Sequence, residues 1–536
     1  MLRHRYALPV VSVIILFSFL VGLSRTTKAQ EWAVVRPQGV LRVADFNFPN
    51  GSVMWNYGEG LLTLDKDNNW IPCLAQDWRW VNDRTIEFML RQGVTFHNGE
   101  RFDAEAVKMN YEAYRRMKSP RLVTCTALVD DTEFRVIDDY TVRFSFPKPE
   151  GLAFTKFAWF FQFAPSFLRK HTFPENNWGE LPEAGPWATG AFKLAEGGIQ
   201  IGKVTKKLVL EAYERYSDRR YPKVKRIIFD NTLTADREET MRLCRETEGN
   251  VDIVTFIRPL DTLKVAGSPF AKIVKSRDLA YLWGITNQRK KGSRWKDIRL
   301  RKALNCAINR KELLKYAAKG NAYNLECFLP RPGDFGFAPS MAPLTYDTSK
   351  AKSLLAEAGY PNGFEMTLIT HEAWKLEAKI VCSMLERVGL KATPVISTYP
   401  EFLRKVYIPL LEKSPEEQEW DVFLVFNANW FGHIGSSFLT YGYLEESDFR
   451  WIEYDPKYEK MWNEMAHSAD PTVQETKIQQ IVKYLRDCAY QFTIYSPLSL
   501  YAVNKEVNFV PQKFYWLRLK ETSISENHWS LRGKNN

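Results

Sequence analysis

Histidine is scarce in this chain, with seven in 536 residues, and the seven are scattered. Zinc held on one helix face needs two histidines a turn apart, and His371-Glu372 has no such partner. The seven cysteines (Cys73, Cys125, Cys244, Cys306, Cys327, Cys382, Cys488) contain no C-x-x-C pair, so zinc-ribbon and thioredoxin chemistry are not indicated. No G-x-S-x-G elbow is present to expose a nucleophilic serine. Gly197, Gly202 and Lys203 have the spacing of a phosphate loop, but Val204 stands where a Mg²⁺-binding Ser or Thr is required. A hairpin turn is predicted there instead. The 63 acidic residues nominate no particular catalytic pair. There is also no long basic run, repeat or low-complexity segment, which argues against nucleic acid as partner.

The N-terminus bears on the compartment. Arg3 and Arg5 precede an apolar run, 8–23, followed by a polar stretch with the small residues Thr27 and Ala29. This is the layout of a cleaved export signal over residues 1–29. The run is short for a membrane span, which needs ~20 apolar residues; an uncleaved anchor is the alternative. The first cysteine is Cys73, so a lipid-modified form is not expected. The formal charge of +11 includes Arg3, Arg5, Arg25 and Lys28, so the exported chain carries about +7. An odd number of cysteines in an exported chain means at least one free thiol or an intermolecular bridge. The length exceeds what one core holds, and about three domains are expected. Aromatic residues make up 14%, with 17 Trp, 24 Tyr and 34 Phe. Such an excess suits a ligand cleft as well as a filled core.

Local signals place the elements. A first strand is predicted at 39–44, a hairpin over 78–90 and a helix over 103–117 with Asp103 as its cap. Strands are predicted at 134–136, 140–146, 209–213, 225–230 and 251–256, with a helix at 236–246. In the second half a buried strand, 280–287, precedes a helix at 298–307 capped by Asp297. Asp347 caps the next helix, which Gly359 ends, and a strand follows at 364–370. A helix at 373–388, a strand at 421–426, a helix at 471–489 and strands returning through Tyr495 and Leu500 to Leu517 complete the chain. Strands alternating with helices imply mixed α/β sheets.

Three stretches, in this order, carry a resemblance: Phe96-His97-Asn98-Gly99-Glu100 with the helix after Asp103; Arg299-Leu300-Arg301-Lys302-Ala303-Leu304; and Ala351-Lys352-Ser353-Leu354-Leu355 running to Gly359 and Gly363. They resemble the extracytoplasmic solute-binding proteins of family 5, which include the oligopeptide-, dipeptide- and nickel-binding receptors of ATP-binding-cassette (ABC) importers. The resemblance covers nearly the whole exported chain. It implies an α/β, two-lobed fold of the type II periplasmic-binding-protein kind, with a third domain inserted in the first lobe. Lobe I would comprise 30–57, 183–280 and 500–536, the insert 58–182, and lobe II 281–499. It further implies a periplasmic, monomeric receptor, not an enzyme and without cofactor. Its partners would be a small solute (a peptide, a peptide-like molecule or a metal chelate) and an ABC permease with its ATPase subunits. The competing classes are a secreted hydrolase using cleft carboxylates and a sensing receptor that transports nothing.

The segment from Asp421 to Leu439 is the expected ligand element, because open α/β sheets bind ligands where strands end. Trp430 falls on the family's cleft tryptophan, with Asn427, Asn429 and His433 beside it. Peptide receptors carry an aspartate shortly after that tryptophan to pair with an α-amino group. Here Phe431-Gly432-His433-Ile434 contains no acid. Nickel receptors have a histidine roughly where Glu446-Ser447-Asp448 stands, so no metal site is carried over. Further candidates are Asn47, Met54, Trp55, Tyr57 and Arg121, the last through a carboxylate-matching fork.

Overall fold

The computed structural model describes residues 34–46, 49–116, 131–171, 181, 183–199, 205–325, 330–342, 344–407, 414–439, 443–445 and 450–533. The predicted leader, Asn47, Arg121 and the 446–448 stretch lie outside them. Two large mixed sheets and one small antiparallel sheet organise the chain.

The first sheet has seven strands. The strand Gln38–Ala44 runs parallel to Val224–Asp230 on one side and to Ile253–Val254 on the other. Antiparallel neighbours extend it to Phe192–Glu196 at one edge and to Ala271–Ser276 at the other. The phosphate-loop mimic lies between two antiparallel partners, Phe192–Glu196 and Lys207–Ala212, as a hairpin connection. Residues 200–204 of it fall outside the described set.

The second sheet orders Ala322–Asn324, Gln491–Pro497, Ala280–Thr286, Val422–Ala428, Glu365–His371 and Lys391–Ser397. Every residue of Ala280–Thr286 and of Gln491–Pro497 is buried, since both faces of the sheet are covered. Helices Ile298–Ala307, Thr348–Glu357 and Lys375–Glu386 pack on one face. Pro456–Ala466 and Pro471–Cys488 pack on the other with Trp283, Phe423 and Trp451. Gly284 lies where a Cβ would sit 2.0 Å from the Phe492 ring, so the sheet closes here only with glycine. As predicted, Asp103, Asp297 and Asp347 each accept a backbone N–H of the first helical turn, and Asp470 and Asp236 do the same for their helices.

The antiparallel sheet of Ala75–Asn82, Thr85–Leu90, Thr141–Ser145 and Glu133–Asp138 packs Phe88 and Phe144 on Phe157. Helix Ala104–Arg116 follows the turn that contains His97. His97 is buried with Nε2 on the Gly190 carbonyl at 2.8 Å, and burial pushes its pKa down to about 3. Its place is structural.

The final stretch departs from the prediction of strand to Leu517. Residues 509–519 form no strand. Side chains take over the pairing: Asn56 donates to the Leu517 carbonyl and accepts from the Leu519 N–H, both at 2.7 Å. Arg518 donates to the Leu64 carbonyl at 2.6 Å. Phe514, Tyr515 and Trp516 are all buried in the core that includes Trp55.

Of the cysteines, Cys73, Cys244, Cys306, Cys382 and Cys488 are free thiols. Among the described residues no helix is long and apolar enough to cross a membrane.

Two outcomes are expected. Gly284→Ala overpacks the sheet against Phe492 and lowers the unfolding free energy by about 1–3 kcal/mol, read as a lower urea midpoint at unchanged slope. His97 has a folded pKa below its unfolded value, so the unfolded chain takes up a proton that the folded chain refuses as pH drops below 6.5. The stability advantage of wild type over His97→Gln therefore shrinks by on the order of 2 kcal/mol between pH 7 and pH 5 in paired urea titrations.

Candidate functional site

Strand Val422–Ala428 ends against the crossover between the sheets, and the Asn429 N–H donates to the Leu279 carbonyl at 2.9 Å. The Trp430 N–H then turns back onto the Ala428 carbonyl. Gly432 follows with φ +81, and a Cβ there would stand 2.6 Å from Leu64 and 3.1 Å from Trp70. Glycine lets the loop lie directly on the hairpin of strands Leu62–Leu64 and Trp70–Pro72. Asn68 in the turn of that hairpin donates to the Gly432 carbonyl and accepts from Asn429, each at 3.1 Å.

The polar side chains of this loop are spoken for. Trp430 donates its indole N–H to Asn427 at 2.6 Å, and Ser437 donates to Asn429 at 2.9 Å. His433 accepts the Gly435 N–H on Nδ1, which makes Nε2 the donor to Gln474 Oε1 at 3.2 Å. Burial pushes its pKa down to about 4, so the ring is neutral. With both nitrogens engaged, His433 offers no lone pair to a metal. Among the described residues no group of three His, Cys, Asp or Glu is placed to hold one.

Beside this loop lies a cavity of about 390 Å³, within the range of small-molecule sites. It is lined by Trp70, Trp80 and Phe154, and by Phe335, Asn429 and His433. Its floor includes Arg277 and Leu279, from the three-residue crossover between Ala271–Ser276 and Ala280–Thr286. Phe154 is a hub among these rings, with centroids 5.4 Å from Trp78, 6.3 Å from Trp70 and 6.4 Å from Trp80. Phe335 lies 5.7 Å from the His433 ring.

The candidates named from the sequence divide accordingly. Asn429 and His433 line the cavity. Trp430 and Asn427 stand behind it, with Trp430 packed on Tyr515 at 4.2 Å and accepting the Trp516 indole N–H on its carbonyl. Met54 and Trp55, on helix Pro49–Tyr57, are buried in the next aromatic layer, where Trp55 meets Trp159 and Phe514 at 5.5 and 4.9 Å. Tyr57 is fully buried, and its hydroxyl bridges the Gly185 carbonyl and the Trp187 N–H. Asn47 and Arg121 lie outside the described residues. Trp70, Trp80, Phe154, Phe335, Arg277 and Arg331 were not foreseen, and no local pattern marks them.

One arrangement mimics acyl-transfer machinery. His528 bridges Ser530 Oγ at 2.9 Å and Asp252 Oδ1 at 3.1 Å. These three residues are at most 2% exposed, and Ser530 also accepts the Val40 N–H. The row fastens the C-terminal segment to the first sheet, where no substrate has access.

The chain is similar to known proteins along most of its length. Heme-binding protein A of Haemophilus influenzae is 24% identical over 366 residues, 62% of this chain and 63% of that protein. A glutathione-binding protein of Pectobacterium atrosepticum is 26% identical over 349 residues, 63% of each chain. The alignments thus span less than two thirds of these relatives. A solved periplasmic binding protein of Helicobacter pylori, in complex with the peptide STSA, shares the fold with a TM-score of 0.74 at 18% identity, covering 91% of this chain and 98% of that one. The family model for bacterial extracellular solute-binding proteins, family 5 Middle, matches residues 69–447, and the chain belongs to that family.

Proposed function

We propose that this protein is the extracytoplasmic receptor of an ABC importer. It captures a small solute between two lobes and hands it, chemically unaltered, to a membrane permease with its ATPase subunits. The observation that carries this reading is a solute-sized cavity whose floor is the crossover joining two separately built sheets. A second passage, from Gln491–Pro497 to Ser499–Asn504, crosses beside it. Rotation about so few residues opens or closes the cavity without disturbing either core. Relatives named for heme and glutathione, and a structural neighbour holding a peptide, support a small-solute guest.

In this reading the chain is exported to the periplasm without a lipid anchor and works as a monomer. Lobe I comprises 30–57, 183–280 and 500–536, the insert 58–182, and lobe II 281–499. Asn429 and His433 contact the solute from lobe II, while Trp430 and Asn427 hold that loop in shape. Trp55 and Met54 set the aromatic layer behind, and Tyr57 is scaffold. Closure is a population shift: contacts made only in the closed form favour it. Moving the equilibrium from 1:99 to 99:1 needs roughly 5.5 kcal/mol of differential affinity.

The test is a thermal-shift screen of the protein lacking residues 1–29 against dipeptides, tripeptides, glutathione, heme and nickel–histidine. Saturable stabilisation, a smaller radius of gyration by X-ray scattering and recovery of the guest intact are expected. Stabilisation without compaction, or conversion of the guest to product, would overturn the reading. Trp70→Ala is expected to weaken the stabilising guest about tenfold through loss of an aromatic contact worth roughly 0.5–1.5 kcal/mol plus its buried area, measured by calorimetry.

A further inference from the structure

Every acid that lines the cavity is already committed. Glu150 pairs with Lys156 at 3.1 Å, Asp334 with Arg331 at 2.9 Å, and Asp67 with Lys513 at 2.9 Å and with Lys66 at 2.5 Å. Of the cations in the lining, Arg331 and Lys513 are those partners. Arg277 is the exception: among the described residues no carboxylate lies within ion-pair distance of it. It donates through Nη2 to the Pro332 carbonyl at 2.9 Å and stacks its guanidinium 5.1 Å from the Tyr323 ring. The adjacent acid, Asp278, is buried and takes a hydrogen bond from Ser499 instead. The lining and its ion-pair partners therefore hold five cations (Arg277, Arg331, Lys513, Lys156, Lys66) against three acids (Glu150, Asp334, Asp67).

Resting on the receptor reading above, we infer that the solute is an anion with a flat apolar body, and that Arg277 takes its carboxylate. One N–H of the guanidinium is spent on Pro332 and one face on Tyr323, which fixes the plane and leaves other donors of the fork for a bidentate contact. The rings of Trp70, Trp80, Phe154 and Phe335 and the neutral His433 line the same cavity, an apolar surface for the rest of the molecule. Among the described residues a primary ammonium has no uncommitted carboxylate to meet here, and displacing one of the existing pairs leaves a cation unpaired. Because Arg277 sits on the crossover itself, the anion contact is made at the point about which the lobes turn.

The probes are N-acetyl-tryptophan, its neutral amide, and tryptophanamide, which carries an ammonium, titrated by fluorescence or calorimetry at one ionic strength. The carboxylate is expected to bind saturably and about tenfold or more tighter than the neutral amide, with the ammonium weakest. Arg277→Gln is expected to reduce the carboxylate to the level of the amide and leave the amide unchanged, while Arg277→Lys retains part of the preference. Equal binding of all three, or a preference that survives Arg277→Gln, overturns the anion anchor and leaves the receptor reading standing. Absence of saturable binding by all three overturns the aromatic-anion assignment. The receptor reading is then decided separately by compaction with the peptide, glutathione, heme and nickel–histidine panel.

Discussion

The chain passes twice between its two large sheets, from Ala271–Ser276 into Ala280–Thr286 and from Gln491–Pro497 into Ser499–Asn504. Each passage leaves a strand paired in one sheet and enters at once a strand paired in the other, and the two passages lie side by side, so the sheets are tied at one junction. The connecting residues are only Arg277–Leu279 in one passage and Leu498 in the other. Buried backbone groups must be paired, and this obligation holds the two sheets at a fixed separation while leaving few residues to flex. The cavity lies over that junction, and its position follows from the crossing.

The loop after Val422–Ala428 illustrates how a site is held still. Its polar groups bond mainly to one another: Trp430 to Asn427, Asn429 to Ser437, His433 to Gly435 and Gln474. A network satisfied internally does not have to reorganise when a guest arrives, which lowers the entropic penalty of binding. The ring of Trp430 is likewise occupied by Tyr515 and Trp516. The tryptophan that resemblance places in the cleft thus serves here as the back of the wall, with Asn429 and His433 at its face.

Charge in the cavity is arranged in the same economical manner. Carboxylates and cations meet in pairs around the lining, and such pairs at partly wet surfaces contribute modestly to stability. What they do is remove charge from the list of groups open to a guest. Among the described residues, the absence of an acid after Trp430 is not made good: the acids that reach the lining are already paired. The same reasoning disposes of the serine–histidine–aspartate row at the C-terminus. Its residue types are those of a catalytic triad, but Nδ1 rather than Nε2 faces the serine, and burial makes it a fastener.

Much of the fold was legible because it is written locally. Asp103, Asp297, Asp347 and Asp470 sit immediately before their helices, and a cap is a contact across three residues. The unbroken apolar run of Ala280–Thr286 announces a strand covered on both faces. Family membership was readable for a related reason, since it rests on short motifs in order. The lining of the cavity was not legible. Trp70, Trp80, Phe154, Arg277 and Phe335 come from differently built parts of the chain, and each is locally an ordinary strand, helix or loop residue. Residues 509–519 failed as a predicted strand because Asn56 and Arg518, through tertiary contacts, supplied the pairing that a neighbouring strand would have given. Sequence by itself determined the elements, their caps and the family. Only the tertiary structure decided which aromatic rings and which arginine line the cavity, because that depends on where distant segments meet after both sheets have closed.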